Sequence, residues 1–333
     1  MPASRSSLVG PYDTIGLKHL GRRALEVRQV SDHVRVLAAR PPFYIGPLAP
    51  NVYLVSDGDE GALVDSGFAD EESVGARIEF LRGVPGLRLR YIVLTHHHFD
   101  HASGAARLAE ATGAQVLLHP QEEPFLRDWQ TEAPQDLETP EGQEEWARRA
   151  REFRREAARA AAGAAFLHDG DTIAVGSLTL QAVHTPGHTM GSLCLLLRQE
   201  GALFTGDTAL GLGTVAVSPP PHGDMALYLR SLERLKGLGA ALLLPGHGPP
   251  VKDAGRKLQE LIDHRLEREQ QILSLLAQGK GTVMDLVRAI YPELDRRILP
   301  MARRQVEAHL HKLLDDGRVA RRGEGAEARY VPA

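Results

Sequence analysis

The run Thr95-His-His-His-Phe-Asp-His-Ala-Ser-Gly constrains this chain more than any other stretch. His96, His98, Asp100 and His101 fall within six positions, four good ligands for a divalent cation. The preceding run, Arg90-Tyr-Ile-Val-Leu-Thr, has strand character, and the Ala/Leu-rich run that follows has helical character. The ligands therefore sit where a buried strand ends and a helix begins. Imidazole with carboxylate suits Zn²⁺ best, with Mn²⁺ and Fe²⁺ ranked lower.

Similar ligands recur downstream, each at or beside a strand end and each flanked by glycine. They are His188 in Thr185-Pro-Gly-His, Asp207 in Thr205-Gly-Asp and His247 in Pro245-Gly-His-Gly. Glycine lets the backbone turn sharply enough to bring short side chains to a common centre. Any one of these alone reads as a turn histidine or a helix N-cap. Together with H-x-H-x-D-H they read as one constellation.

Short β-rich runs occupy residues 25–66, with Ser56-Asp-Gly-Asp-Glu as a hairpin loop. A helix over 71–82, a strand over 90–95, a helix near 101–112 and a strand over 115–119 follow. Strands return over 167–197 and 202–205, then a helix near 224–236 and a strand over 241–244. This mixture predicts a layered α/β body over residues 25–253, after an N-terminal extension of residues 1–24. A charged, Pro-containing stretch at about 121–163 reads as a helical insertion. Its Trp146, Ala150, Phe153 and Ala157 share one face, and it lies over the body as a surface helix or as a lid. Residues 254–333 read as a small second domain. Helices over 256–278, 283–290 and 299–315 and a Gly-rich terminal hairpin make a winged helix-turn-helix pattern.

Composition narrows the classes. Cys194 is the only cysteine, which excludes an internal disulfide and a thiolate metal cluster and fits a reducing compartment. No stretch reaches the ~18 uninterrupted apolar residues of a membrane span, and the polar N-terminus lacks the apolar core of a signal peptide. The expectation is a soluble cytoplasmic protein with no membrane partner; its oligomeric state is not legible. The net charge of −4 does not advertise nucleic acid, but Ala254–Ala333 carries 15 Lys/Arg against 12 Asp/Glu. The tail is thus modestly basic, and Arg303, Arg304, Arg318, Arg321 and Arg322 are placed to meet phosphates.

Over residues 25–253 the ordered motifs resemble those of the metallo-β-lactamase-fold hydrolases: Asp65 in Leu63-Val-Asp-Ser-Gly, H-x-H-x-D-H, then His188, Asp207 and His247. The resemblance implies an αββα sandwich, two mixed sheets between helical layers, with the site at one edge. It implies two Zn²⁺ per chain, His96, His98 and His188 holding one, Asp100, His101 and His247 the other, and Asp207 bridging. A metal-bound hydroxide would be the nucleophile, with Asp207 shared by the ions and Asp100 as a candidate proton acceptor. Asp65 is expected to orient a ligand histidine and His97 to point away from the metals. His119 and His184 are expected in structural or supporting roles. His222 is a candidate substrate contact or a plain loop residue, and Cys194 a core residue.

Within that family, Asp207 stands where class B1 β-lactamases carry Cys, and no flavin domain or β-CASP insert is present. Thr185-Pro-Gly-His-Thr and Pro245-Gly-His-Gly-Pro look like the glyoxalase II side. The tail is similar to that of the β-lactamase-like protein 2 group, which includes a single-stranded RNA endonuclease. The shared pieces are Pro245-Gly-His-Gly-Pro-Pro, Asp263-His-Arg with Arg268-Glu-Gln-Gln-Ile-Leu, and Thr282-Val-Met-Asp-Leu-Val. The leading expectation is a dinuclear zinc hydrolase of a small-molecule thioester or related ester. The alternatives are a metal-dependent endonuclease of single-stranded RNA and, more remotely, a non-enzymatic nucleic-acid-binding regulator.

Overall fold

Strands in the first half of the chain expose one side chain set to each face, and both sets are apolar, so this sheet must be covered twice. The structure is a computed structural model and describes residues 25–39, 49–128, 140–294, 298–325 and 328–333. The expected extension over 1–24 lies outside the described residues.

A seven-stranded mixed sheet runs in the order β1 (Leu25–Gln29), β2 (Val34–Ala39), β3 (Tyr53–Asp57), β4 (Glu60–Val64), β5 (Arg88–Val93), β6 (Gln115–Leu118), β7 (Ala165–Phe166). β1 to β4 pair antiparallel; β4 to β7 pair parallel. The β3–β4 hairpin closes with Asp57 opposite Glu60. A second, five-stranded sheet has the order β12-β11-β10-β9-β8, from β8 (Thr172–Val175), β9 (Leu178–His184), β10 (Leu193–Leu197), β11 (Ala202–Gly206) and β12 (Leu242–Pro245).

The period of two sorts the residues into layers. Val34, Val36, Tyr53, Val55, Ala62 and Val64 meet Leu178, Leu180, Leu195, Leu197 and Phe204 between the sheets. Leu37, Leu54, Leu63 and Ile92 face outward instead. They pack under α1 (Glu71–Gly83), α3 (Ala105–Thr112) and the end of α5 (Pro140–Ala162). The short helices α2 (Phe99–Ala102) and α4 (Glu123–Arg127) flank the ligand loop and β6. On the opposite side Val183, Cys194, Leu196 and Leu203 are covered by α6 (Met225–Gly237) and the first half of α7 (Ala254–Ala277). The result is the expected αββα sandwich.

The second half of α7, α8 (Val283–Ile290), α9 (Leu299–Asp315) and the β13 (Val319–Arg322)–β14 (Arg329–Pro332) hairpin enclose a separate core around Ile272, Leu286, Val306 and Leu313. This is the winged helix. Thr282 caps α8 through a reciprocal capping box with Asp285. α7 is shared: Leu258, Leu261 and Ile262 belong to the body core, Ile272 and Leu276 to the tail core.

Candidate metal centre

Four strands deliver the candidate ligands to one edge of the sandwich, and a fifth brings Asp65 behind them. β4 ends at Asp65, β5 leads into His96–His101, β9 into His188, β11 into Asp207 and β12 into His247. Parallel alignment of β4 with β5 and of β11 with β12 puts these ends side by side. Two backbone devices make the approach close enough. Asp65 adopts a left-handed φ of 63°, which Asp tolerates better than most residues. Gly246 lies so near the centre that a Cβ there would sit 2.6 Å from Asp207 Oδ1 and 2.7 Å from the His101 ring, so only glycine fits.

All seven predicted side chains come together. His96, His98, His188 and Asp207 each offer a ligand atom within 4.8 Å of the others, and so do Asp100, His101 and His247. Ring nitrogens face each other: His96 Nε2 and His188 Nε2 lie 3.0 and 3.1 Å from His98 Nδ1, and His101 Nε2 lies 3.1 Å from His247 Nε2. Asp207 stands between the groups, Oδ1 at 3.5 Å from His101 Nε2, Oδ2 at 3.7 Å from His247 Nε2 and 3.8 Å from His188 Nε2. Asp207 Oδ1 is buried yet has no hydrogen-bond partner among the described residues. A buried carboxylate oxygen without a hydrogen bond amid converging imidazole nitrogens is the donor chemistry that a divalent cation satisfies. The residues fit the metal.

The rear nitrogens of the rings are held. His101 Nδ1 donates to Asp65 Oδ2 at 2.8 Å, and Asp65 also accepts from the Thr95 amide and hydroxyl. His188 Nδ1 donates to the Ala216 carbonyl at 2.9 Å, and His96 Nδ1 meets Thr95 Oγ1 at 3.0 Å. Each such contact turns the opposite nitrogen toward the centre.

The electrostatics ask for positive charge. Burial opposes protonation of His101, but the carboxylates of Asp100, Asp207 and Asp65 outweigh it and push the imidazole up to about 10. Burial likewise opposes ionisation of Asp100, yet His101 and His247, whose Nε2 is 3.2 Å away, hold its carboxyl well below the usual range. His96 and His98, deeply buried among other imidazoles, are pushed well below the usual histidine value and offer bare nitrogen.

The other histidines singled out in the sequence lie outside this cluster. His97 is turned to Glu122, whose carboxylate accepts from its amide and Nδ1, both at 2.6 Å, and its ring stacks on Phe125. His119 and His184 stack on each other at 4.0 Å; burial and that neighbour push His119 down to about 4. His222 is exposed, its ring 5.7 Å from Phe125. Burial pushes the Cys194 thiol up to about 11, as for a core residue. In the tail Arg303 pairs with Glu307 and Arg318 with Glu269, while Arg321 and Arg322 are exposed on β13.

Sequence reasoning did not single out Glu122. It is fully buried, and its second oxygen accepts from the Gly191 amide at 2.6 Å. It thereby ties the His96–His101 loop to the loop that carries His188. The 140–162 helix is a surface helix with one buried face: Arg151, Arg154 and Arg155 are exposed, while Phe153 is buried against Phe68 and stacks on Phe99 at 5.9 Å, behind the ligand loop. Residues 129–139 of the expected insertion lie outside the described residues. The Trp146 side chain lies outside the described residues.

Residues 45–247 match the metallo-beta-lactamase superfamily, and residues 282–328 match the beta-lactamase associated winged helix domain. A Caenorhabditis elegans beta-lactamase-like protein 2 homolog is 30% identical over 87% of this chain and 87% of its own length. An Aspergillus fumigatus atrochrysone carboxyl ACP thioesterase is 28% identical over 78% of this chain and 74% of its own. A solved metallo-beta-lactamase family protein from Thermus thermophilus superposes with a TM-score of 0.72 at 26% identity, covering 92% of this chain and all of that one (100%). A beta-lactamase domain protein from Burkholderia ambifaria has the same fold, with a TM-score of 0.77 over 95% of this chain and 96% of its own, at 24% identity. With its His/Asp cluster, αββα body and winged-helix tail, the chain belongs to the metallo-β-lactamase superfamily of metal-dependent hydrolases.

Proposed function

We propose that this protein hydrolyses a thioester or related ester at a centre of two divalent cations, with zinc as the metal. His96, His98 and His188 would hold one ion, Asp100, His101 and His247 the other, with Asp207 shared. The observation that carries the reading is the position of Asp207, within 3.8 Å of imidazoles from both groups and with one buried oxygen that no described residue hydrogen-bonds. When bound, such a metal pair supplies a hydroxide nucleophile at neutral pH and polarises the attacked carbonyl.

The chain does the rest. Asp65, Thr95 and the Ala216 carbonyl fix the ring orientations of His101, His96 and His188. Asp100, held anionic by its imidazole neighbours, would serve as a carboxylate ligand beside His247 Nε2, 3.2 Å away. A thioester suits a site built this way because its leaving group is a thiolate, with a thiol pKa of about 8.5, and needs little help from a general acid. The likeness to a protein named as an acyl-carrier thioesterase points the same way.

The test is one panel on metal-loaded full-length protein: an acyl-thioester, lactoylglutathione and labelled single-stranded RNA, with Asp207→Ala as control. Thioester hydrolysis lost in Asp207→Ala is the expected result. Cleavage of RNA alone, also lost in the variant, would overturn the substrate class and leave the metal centre standing.

A further inference from the structure

Between β11 and α6, residues 207–224 form neither helix nor strand, although Val215 and Val217 are buried in the body core. A buried irregular segment has no ladder to satisfy its backbone, so its polar groups must find side chains. Here α7 and α9 supply them. Lys257 Nζ donates to Gly213 O at 3.4 Å, Arg265 Nη2 donates to Val215 O at 2.5 Å, and Gln305 Oε1 accepts from Val217 N at 3.0 Å. The first two residues belong to α7 and the third to α9. Between the two tighter anchors lies Ala216, whose carbonyl accepts from His188 Nδ1.

We propose that Arg265 and Gln305 are positioning residues for the metal centre: α7, together with α9 of the winged helix, clamps Val215–Val217 so that the Ala216 carbonyl fixes the tautomer and aim of His188. A carbonyl can only accept, so the His188 nitrogen facing it carries the proton, and Nε2 keeps its lone pair for the centre. Because Val215 O and Val217 N are pinned on either side, the peptide bearing Ala216 O has no freedom to turn away. Arg265 reaches the centre by a second route as well. Its guanidinium lies 5.3 Å from the centre of the Tyr228 ring, and the Tyr228 hydroxyl donates to the carbonyl of Thr208, next to Asp207.

The clamp is built at a cost that stability alone does not explain. Arg265 and Gln305 are 2% and 7% exposed, and each leaves a side-chain nitrogen buried without a hydrogen-bond partner among the described residues, Nε in one and Nε2 in the other. Apolar residues of similar volume would avoid both penalties. What they could not do is hold a carbonyl and an amide of the His188-orienting segment.

The inference rests on His188 being a metal ligand, and the experiment separates the two. Full-length wild type, His188→Ala, Gln305→Met and Gln305→Glu are titrated with Co²⁺ alone against a competing chelator. Visible absorption reports the ligand field, and circular dichroism reports folding. His188→Ala should lose tight binding at one site; if it retains both, the ligand assignment fails. With that assignment secure, folded Gln305→Met should bind roughly 10–100-fold more weakly with a shifted absorption band, as losses behind a ligand histidine typically do. Gln305→Glu, which keeps the acceptor, should restore both. Wild-type affinity and spectrum in folded Gln305→Met would overturn the clamp. So would a Gln305→Glu variant as weak as Gln305→Met. Should Gln305→Met not fold, ¹⁵N-histidine NMR of the metal-free wild type decides, with His188→Ala identifying the signal. Protonation at Nδ1 is expected, and protonation at Nε2 sinks the proposal.

Discussion

The residue that shows most clearly what tertiary placement adds is Glu122. In the sequence it stands in Gln121-Glu-Glu, which reads as the solvated start of a helical insertion. In the fold it is buried and accepts three short hydrogen bonds, from His97 twice and from Gly191. Asp65 was legible because it sits in a recognisable motif one strand from the ligands; Glu122 has no motif, and its partners lie 25 and 69 residues away. Burial opposes its charge, but His97 and the surrounding donors prevail and leave its carboxyl below the ordinary value. Glu122→Gln puts an amide NH₂ against N–H donors on one side or the other. It should cost on the order of 2–3 kcal/mol, the usual penalty for an unmade bond to a buried group. A carboxylate with a lowered folded pKa stabilises at any pH above its unfolded value of about 4.3, and that contribution fades as pH falls through the lower folded value. Urea melts of wild type and variant should therefore differ by a constant amount at neutral pH and converge only in acid. A gap that widens in acid would mean the opposite sign of shift.

At the scale of elements, amphipathic spacing identified helices well and their partners badly. Ala150, Phe153 and Ala157 announce one apolar face on α5, but the 3.6-residue period says nothing about what that face meets. It meets the ligand loop. Phe153 is wedged against Phe68 and Phe99, and Phe99 opens the short helix that carries Asp100 and His101. Phe153→Ala should cost about 3–5 kcal/mol, the range for emptying a buried aromatic site. It should also loosen Phe99, so that a chelator strips metal from the variant faster than from wild type under native conditions. Stability lost with unchanged metal release would make α5 a packing element only. The strand ends tell the converse story: His188, Asp207 and His247 were legible because glycine at a strand terminus leaves a local signature, whereas the 207–224 segment that orients one of them has none.

At the scale of the molecule, composition suggests a division near residue 253, where the charged tail begins. Packing moves the changeover into α7. Its first turns bury Leu258, Leu261 and Ile262 in the body, and only past residue 270 do Ile272 and Leu276 enter the tail core. Ala308 of α9 adds to the body core as well. Unfolding the tail alone would expose Ala308 and strip Gln305 from Val217, so the two cores should melt as one unit. Metal then acts on the whole. A ligand that binds only the folded state stabilises it by RT ln(1 + [L]/Kd), about 2.7 kcal/mol at a hundredfold excess over Kd, and cations additionally relieve the repulsion among Asp65, Asp100 and Asp207. Differential scanning calorimetry should show a single transition that moves up with Zn²⁺ and back with chelator. Far-ultraviolet circular dichroism should track the same midpoint. Two transitions, only one of them metal-sensitive, would show that the shared helix does not couple the cores and that the tail rides on the body without bracing it.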